Sequence, residues 1–308
     1  MSVIDADRPP TLAQNAATRL FGVHRARHGK TEPVVAPVRR SRSGGLAMID
    51  RAAVVGLGVI TIVAVLVPWI APHSVSLPIG AASEPPGRVG LLGTDQIGRD
   101  ILSRVLFGFR SSWLAALMVI AVAIIIGGII GAVAGAFGGW LDTILMRLTD
   151  AFLALPAAIL AIAFVAARGP SFGHVLQAII IVWWPYYARL VRAEVRSYAA
   201  RPHAEAARLA GAGRLRLVTR HLLPGALPTV LIAASLDVGA VILTFAGLSY
   251  LGLGAPSPAP ELGAMSSQGL SYLLTAWWIP VLPAASVFAL CVVANLAGDG
   301  VRDLLERD

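Results

Sequence analysis

The chain has 308 residues, 56% of them hydrophobic and 14% charged, with a mean hydropathy of +0.74. A soluble domain carries roughly a quarter charged residues, so composition excludes a soluble globule, and this length excludes a simple single-span anchor. The formal net charge of +8 comes mainly from basic residues crowded into positions 1–51 and 189–220, the asymmetry of loops held on the inner side of a membrane and not a nucleic-acid footprint.

Residues 1–45 read as a basic cytoplasmic tail. Leu12, Ala16, Leu20 and Val23, with Arg19, Arg25 and Arg27 interleaved, admit either a short amphipathic helix on the inner leaflet or a flexible basic arm. Gly29-Lys30-Thr31 lacks the glycine that a phosphate-binding loop places five residues earlier, where this chain has His24. Residues 31–45, rich in Pro, Arg, Ser and Gly, read as linker. The first apolar run has no clear small-residue cleavage site after it and reads as a retained signal-anchor helix.

A membrane span needs ~20 apolar residues to cross ~30 Å of hydrocarbon. The segments 52–71, 113–137, 144–167, 175–190, 226–248 and 276–297 meet or approach this, which predicts an all-α integral membrane protein with six transmembrane helices. Six spans put both termini on one side, and the arginine-rich tail makes that side cytoplasmic. The segments 72–112, 168–174 and 249–275 then face outward, and the loop 191–225 faces inward.

Within this frame a few polar residues stand out. Leu92-Gly93-Thr94-Asp95 precedes the second span; Thr94 or Asp95 suits an N-cap there, with Arg99 and Asp100 bracing the elbow. Gly127, Gly128, Gly131 and Gly135 lie along the second span at spacings that let helix backbones approach closely. Asp142, Arg147 and Asp150 mark the entry to the third span, and Arg147 and Asp150 are spaced to pair on one helix. Asp237 falls near the middle of the fifth span without a partner in its own turn. An ionisable group at that depth faces the bundle, either lining a pathway or bonded to another helix.

Catalytic chemistry finds no support. The histidines (His24, His28, His73, His174, His203 and His221) show no helical metal-ligand spacing within a span. There is no Gly-x-Ser-x-Gly elbow, and the single cysteine, Cys291, rules out an intrachain disulfide. No enzyme activity, cofactor or metal is expected in this chain.

The polar stretch between spans four and five carries the most information. Pro202 favours a helix start, Glu205 places negative charge in its first turn, and Gly211 offers an exit. A second arginine-rich piece follows, and Pro224 resets the chain for the fifth span. Two short helices around a glycine, held between spans, make a lever for a soluble motor. They can also be read as a surface-lying helix anchored by arginines.

Glu205-Ala206-Ala207, Gly211 and the close His221-Leu222-Leu223-Pro224 resemble the cytoplasmic "EAA loop" of ABC importer permeases. Further matching stretches occur in order over about residues 46–308. They are Leu92-Gly-Thr-Asp-Gln-Ile-Gly-Arg-Asp100 with Ser103-Arg104, Gly138-Gly-Trp-Leu-Asp142 through Arg147 and Asp150, Pro156, Leu248-Ser-Tyr-Leu-Gly-Leu-Gly254, Trp277-Trp278, and Asn295-Leu-Ala-Gly-Asp299 with Arg302-Asp303. The chain is thereby similar to the second permease of dipeptide, oligopeptide and nickel ABC importers.

The resemblance implies a permease domain over 46–308 with a coupling loop at about 199–224. Glu205, Ala206, Ala207, Gly211, His221, Leu223 and Pro224 would transmit motion from partner ATPase subunits, which bind ATP and Mg. A second permease would complete a heterodimer in the bacterial inner membrane, and an extracytoplasmic binding protein would deliver substrate near Gly254 and the 249–275 segment. Substrate would be a dipeptide or short oligopeptide, or in the same family nickel, a metal chelate or glutathione. Relatives commonly carry an acid just before the Leu-Ser-x-Leu-Gly-Leu-Gly run, where this chain has Phe245. Asp237, Asp150, Arg147 and Phe245 are the candidates for pathway or helix-packing roles. A rival from another class is a proton-coupled secondary transporter using Asp237.

Overall fold

The structure, a computed structural model, describes residues 44–305, with side chains from residue 55 onward. The amphipathic tail helix and the Gly29-Lys30-Thr31 stretch lie outside the described residues. Among those described, the architecture is helical: α1 Gly44–Ile70, α2 Ile101–Phe137, α3 Gly139–Ala154, α4 Ala157–Arg168, α5 Phe172–Ala199, α6 Pro202–Leu209, α7 Arg214–Leu217, α8 Leu223–Tyr250, α9 Leu262–Gly269 and α10 Trp278–Leu305. By length and hydropathy three helical runs can cross a membrane (Ile101–Phe137, Arg214–Tyr250 and Trp278–Leu305), and the bent pair Gly139–Ala154 with Ala157–Arg168 counts as a fourth.

Several boundaries differ from the sequence expectation. The second helix begins at Ile101, twelve residues before the expected 113, because its polar first turns are buried against the outer elbow. Its N-cap is Asp100, not Thr94 or Asp95: the Asp100 carboxylate accepts from the amides of Leu102 and Ser103. The third segment is broken by 87° between α3 and α4. Pro156 forces this, since it lacks an amide and biases Leu155 to the extended conformation seen there. The fourth expected span, α5, runs 28 residues instead of ending near 190, its charged C-terminal part being helical but too polar to count as apolar.

Pro224 does not reset the chain. Helix continues from Arg214 to Tyr250 through one π turn, Val218–Leu222, closed by the Leu223 amide on the Val218 carbonyl. Proline in the next position cannot supply an amide, and a wider turn absorbs that gap.

The bundle is organised by glycine. A Cβ on Gly127 would meet the Trp184 carbonyl and lie 2.8 Å from the Ala188 nitrogen, and one on Gly131 would meet the Ala188 carbonyl and lie 2.9 Å from the Arg192 nitrogen. At Gly135 it would lie 2.9 Å from Val195 Cγ1. The small-residue stripe of α2 is therefore the seat of α5, backbone against backbone. Such contact supplies dispersion energy in lipid, where no hydrophobic effect drives helices together. The Trp184 carbonyl that Gly127 faces immediately precedes Pro185, the α5 position without an amide.

Candidate functional site

α6 is a short helix with a complete beginning and end. Proline sits in its first turn and Glu205 beside it. At the far end the Gly211 amide donates to Arg208 and the Ala212 amide to Ala207, each at 3.0 Å. This paired closure requires a left-handed residue, and Gly211 has φ +83°. Ala204 is fully buried and seats the helix. Glu205, Ala206 and Gly211 are exposed and Ala207 is half-buried. Leu209 and Leu215, at 85% and 74% exposure, add apolar surface on either side of the glycine.

Both flanks of this loop are pinned. The Arg201 guanidinium lies 3.8 Å over the Tyr198 ring, and a Cβ on Gly225 would lie 2.6 Å from Tyr198 Cδ1. Of the expected closing residues, His221 and Pro224 are exposed and Leu223 is half-buried. The result is a short helix with an exposed acid, a buried back and exposed leucines.

Asp142, in the first turn of α3, holds the arm that leads to this loop. It accepts from Arg192 Nε at 2.5 Å and Nη2 at 2.9 Å, and from Arg196 Nη2 at 2.6 Å. Asp150 pairs with Arg189 Nη2 at 2.6 Å. The expected Arg147–Asp150 pair does not form, because α5 brings Arg189 across to the aspartate from the neighbouring helix. The 189, 192, 196 spacing of these arginines along one face was the available sequence signal.

Asp237 is bonded to another helix, one of the two roles expected for it, and also borders a cavity. Its Oδ2 accepts from Tyr187 Oη of α5 at 2.9 Å, and the residue lines a cavity of about 270 Å³ with Ala157, Val182, Trp183 and Tyr186. Phe245, by contrast, is 1% exposed and packs edge-on against Phe172 at 5.4 Å, a packing residue.

The end of the bundle that carries residues 72–100 and 251–277 is tied by buried polar contacts. Arg99 Nε meets Asp95 Oδ2 at 2.6 Å, with Arg104 Nε 3.6 Å from the same oxygen. Arg104 Nη1 donates to the Val75 carbonyl at 2.8 Å and the Pro258 carbonyl at 3.1 Å, and Trp278 Nε1 donates to the Thr94 carbonyl at 3.3 Å. The elbow, the 255–261 loop and the start of α10 thus form one unit.

Glu261, which sequence reading did not single out, is 1% exposed there and accepts from the Ala255 amide at 3.1 Å. Burial pushes its carboxyl above the ordinary carboxylate range, against the hydrogen bonding of Ser249 and Ala255. It borders a cavity of about 440 Å³ with Arg110, Ser111 and Phe172. Among the described residues no group of three or more His, Cys, Asp or Glu is placed to hold a metal ion.

Known proteins share this arrangement. Residues 127–308 match the family described as binding-protein-dependent transport system inner membrane component. The probable D,D-dipeptide transport system permease protein DdpC of Escherichia coli (strain K12) is 41% identical over 243 residues, 78% of this chain and 80% of that protein. A putative peptide transport system permease protein of Brucella abortus biovar 1 (strain 9-941) is 40% identical over 280 residues, 89% of this chain and 92% of its own length. The dipeptide transport system permease protein DppC of Escherichia coli (strain K12) is 40% identical over 267 residues, 83% and 89% of the two chains. A chain of the MetNI methionine ABC transporter, solved in inward-facing conformations, shares the fold with a TM-score of 0.54 at 18% identity, covering 67% of this chain and 97% of that one. Matched over more than half its length, and 41% identical to a relative across more than three quarters of it, this helical, multi-pass chain belongs to the family of binding-protein-dependent transport system inner membrane components.

Proposed function

We propose that this chain is a permease subunit of an ATP-driven importer, moving dipeptides or short oligopeptides into the cytoplasm by alternating access. The observation that carries the reading is α6: Pro202–Leu209 ends in a Gly211 closure, with Glu205 and Leu209 exposed on a seat fixed by Ala204. This is a lever without a motor, and partner ATPase subunits binding ATP and Mg supply the motor. Residues 46–308 form the permease domain, crossing the inner membrane six times with both termini and the 1–45 tail in the cytoplasm. A second permease completes the pathway, and an extracytoplasmic binding protein delivers cargo at the 249–275 side. Peptide cargo is favoured because relatives covering most of the chain are named for dipeptide and peptide transport.

The test is purification of the tagged chain from its native membranes in mild detergent, with subunit identification and an ATPase assay. A second permease and ATPase subunits should co-purify. Glu205→Lys should abolish uptake and binding-protein-stimulated hydrolysis while leaving membrane insertion intact. A lone chain that transports peptide without an ATPase, or normal uptake by Glu205→Lys, would overturn the reading.

A further inference from the structure

Asp237 is a carboxylate within a membrane-crossing helix, and it has no ion pair among the described residues. Hydrogen bonding from Tyr187 and from the Trp183 indole N–H occupies two acceptor positions of a group that offers about four. An acid in this setting persists where it meets a cavity or a partner charge. The cavity beside it is walled by Trp183 and Tyr186, with Val182 and Ala157 completing the lining and no arginine or lysine in it. The Tyr186 and Tyr187 rings meet edge to face at 5.3 Å, which holds the exposed Tyr186 ring on the fully buried Tyr187.

An acid with spare acceptor capacity between aromatic faces is suited to an organic cation. The carboxylate supplies the counter-charge, and indole and phenol faces attract positive charge through their quadrupoles. A divalent metal fits poorly, since it wants several oxygen ligands and the lining offers one carboxylate. A substrate carboxylate is repelled. At about 270 Å³ the cavity is smaller than the usual range for a whole drug-sized ligand, so it accommodates one end of an extended molecule.

We propose that this cavity binds the α-ammonium end of a peptide in transit, with Asp237 as counter-ion and Trp183 and Tyr186 as the aromatic wall. The inference rests on the peptide-importer reading above and adds a polarity to it: the amino end is the end this subunit holds. The site belongs to the membrane path and is separate from the selection made by the binding protein.

The experiment uses the complete transporter, reconstituted with its partner subunits and a saturating excess of peptide-loaded binding protein, so that maximal rates report steps after delivery. Uptake of a dipeptide is compared with that of its N-acetylated analogue, choosing a pair that the binding protein holds equally. Wild type should move the free-amine peptide faster. Asp237→Asn should lower the free-amine to N-acetyl rate ratio by roughly tenfold, the scale of one charged hydrogen bond. Trp183→Ala should lower it less, and Trp183→Phe should restore most of it. Membrane abundance and binding-protein-stimulated ATPase report assembly. Should Asp237→Asn fail to assemble, Trp183→Ala and Tyr186→Ala carry the comparison.

An unchanged ratio in these variants would overturn the inference. Equal loss of both peptides would also overturn it, assigning Asp237 to gating or proton movement. Wild type that moves neither peptide would remove the peptide reading itself, an outcome distinct from either.

Discussion

Asp142 of α3 and Arg192 of α5 are joined by two parallel hydrogen bonds, 2.5 Å to Nε and 2.9 Å to Nη2. The fork fixes the first turn of α3 against the C-terminal third of α5, about one turn before Arg196, which meets the same carboxylate at 2.6 Å. α5 then passes through Ala200 and Arg201 directly into α6. One chain of contacts thus runs from α6 through α5 to the α2–α3 turn.

That linkage gives a first prediction. Arg192→Lys keeps the charge but cannot make the fork, and Asp142→Asn keeps the shape but loses the charge. Each should lower the thermal stability of the purified complex by about 1.5–3 kcal/mol and reduce uptake, and the double variant should cost little more than either single one. Arg196→Ala, removing a half-exposed partner, should cost less than about 1 kcal/mol. Additive losses in a thermal-unfolding cycle would show that the pair does not act as a unit.

The glycine seat gives a second. Gly131→Val pushes side-chain atoms into the Ala188 carbonyl and the Arg192 nitrogen, whereas Gly128, one position after Gly127 and off the α5-facing row, has nothing within 4 Å of a new Cβ. Overpacking of this kind costs typically about 1–3 kcal/mol. Gly131→Val should reduce the yield of monodisperse complex on size-exclusion chromatography, and Gly128→Val should leave it near wild type.

Gly211 supplies a third. Its φ of +83° is one that a side chain disfavours by roughly 1–2 kcal/mol. Nothing lies within 4 Å of its would-be Cβ, so Gly211→Ala tests conformation alone. Stimulated ATPase activity should fall several-fold with insertion unaffected, while Gly213→Ala, at φ −64°, should be close to silent. Equal effects at the two positions would mean that the left-handed closure is unimportant.

Glu261 gives a prediction in pH. Because burial raises its carboxyl, the folded protein holds a proton that the unfolded chain releases. Its contribution to stability is fully present below the ordinary carboxylate value of 4.5 and is lost as pH rises through the elevated folded value. Melting temperature followed from pH 4 upward should decline over that window in wild type and be flatter in Glu261→Gln. Gly254→Ala should be destabilising at every pH, since its Cβ would collide with Glu261 Oε2 and lie 2.6 Å from Ser249 Oγ.

Sequence reading reached the helical class, the short helix after Pro202 with its Gly211 exit, and the bundle-facing placement of Asp237, because each is a local signal. Proline at the start, glycine at the end and an acid in an apolar run all speak within a few positions of themselves. What it missed are relations between distant segments. Asp142 and Asp150 find their arginines on α5, some 39 to 50 positions away, and an i,i+3 spacing on α3 gave no sign of that competition. Asp100 displaced Thr94 and Asp95 as the cap because Asp95 is committed to Arg99, and Thr94 Oγ1 accepts from the Glu84 amide and donates to the Ala81 carbonyl. The extension of the second helix by twelve residues depends on burial against residues that follow α8, which hydropathy along the chain does not register.

The glycine seat also bears on where this molecule bends. A 28-residue helix spans about 42 Å, and α5 is in backbone contact with α2 at three successive levels of that length. Two rods meshed in this way, with glycine on one side of each contact, have little between them to repack, so they should turn as one piece. Flexure is left to the chain at Leu155–Pro156, where the hydrogen-bond ladder is already interrupted and the direction changes by 87°. Paired spin labels on α2 and α5 should keep their separation through a cycle of nucleotide binding, while a pair straddling Pro156 should not. Such a permease works less like a flexing sleeve than like a door, with a stiff double-helical leaf and a single proline for its hinge pin.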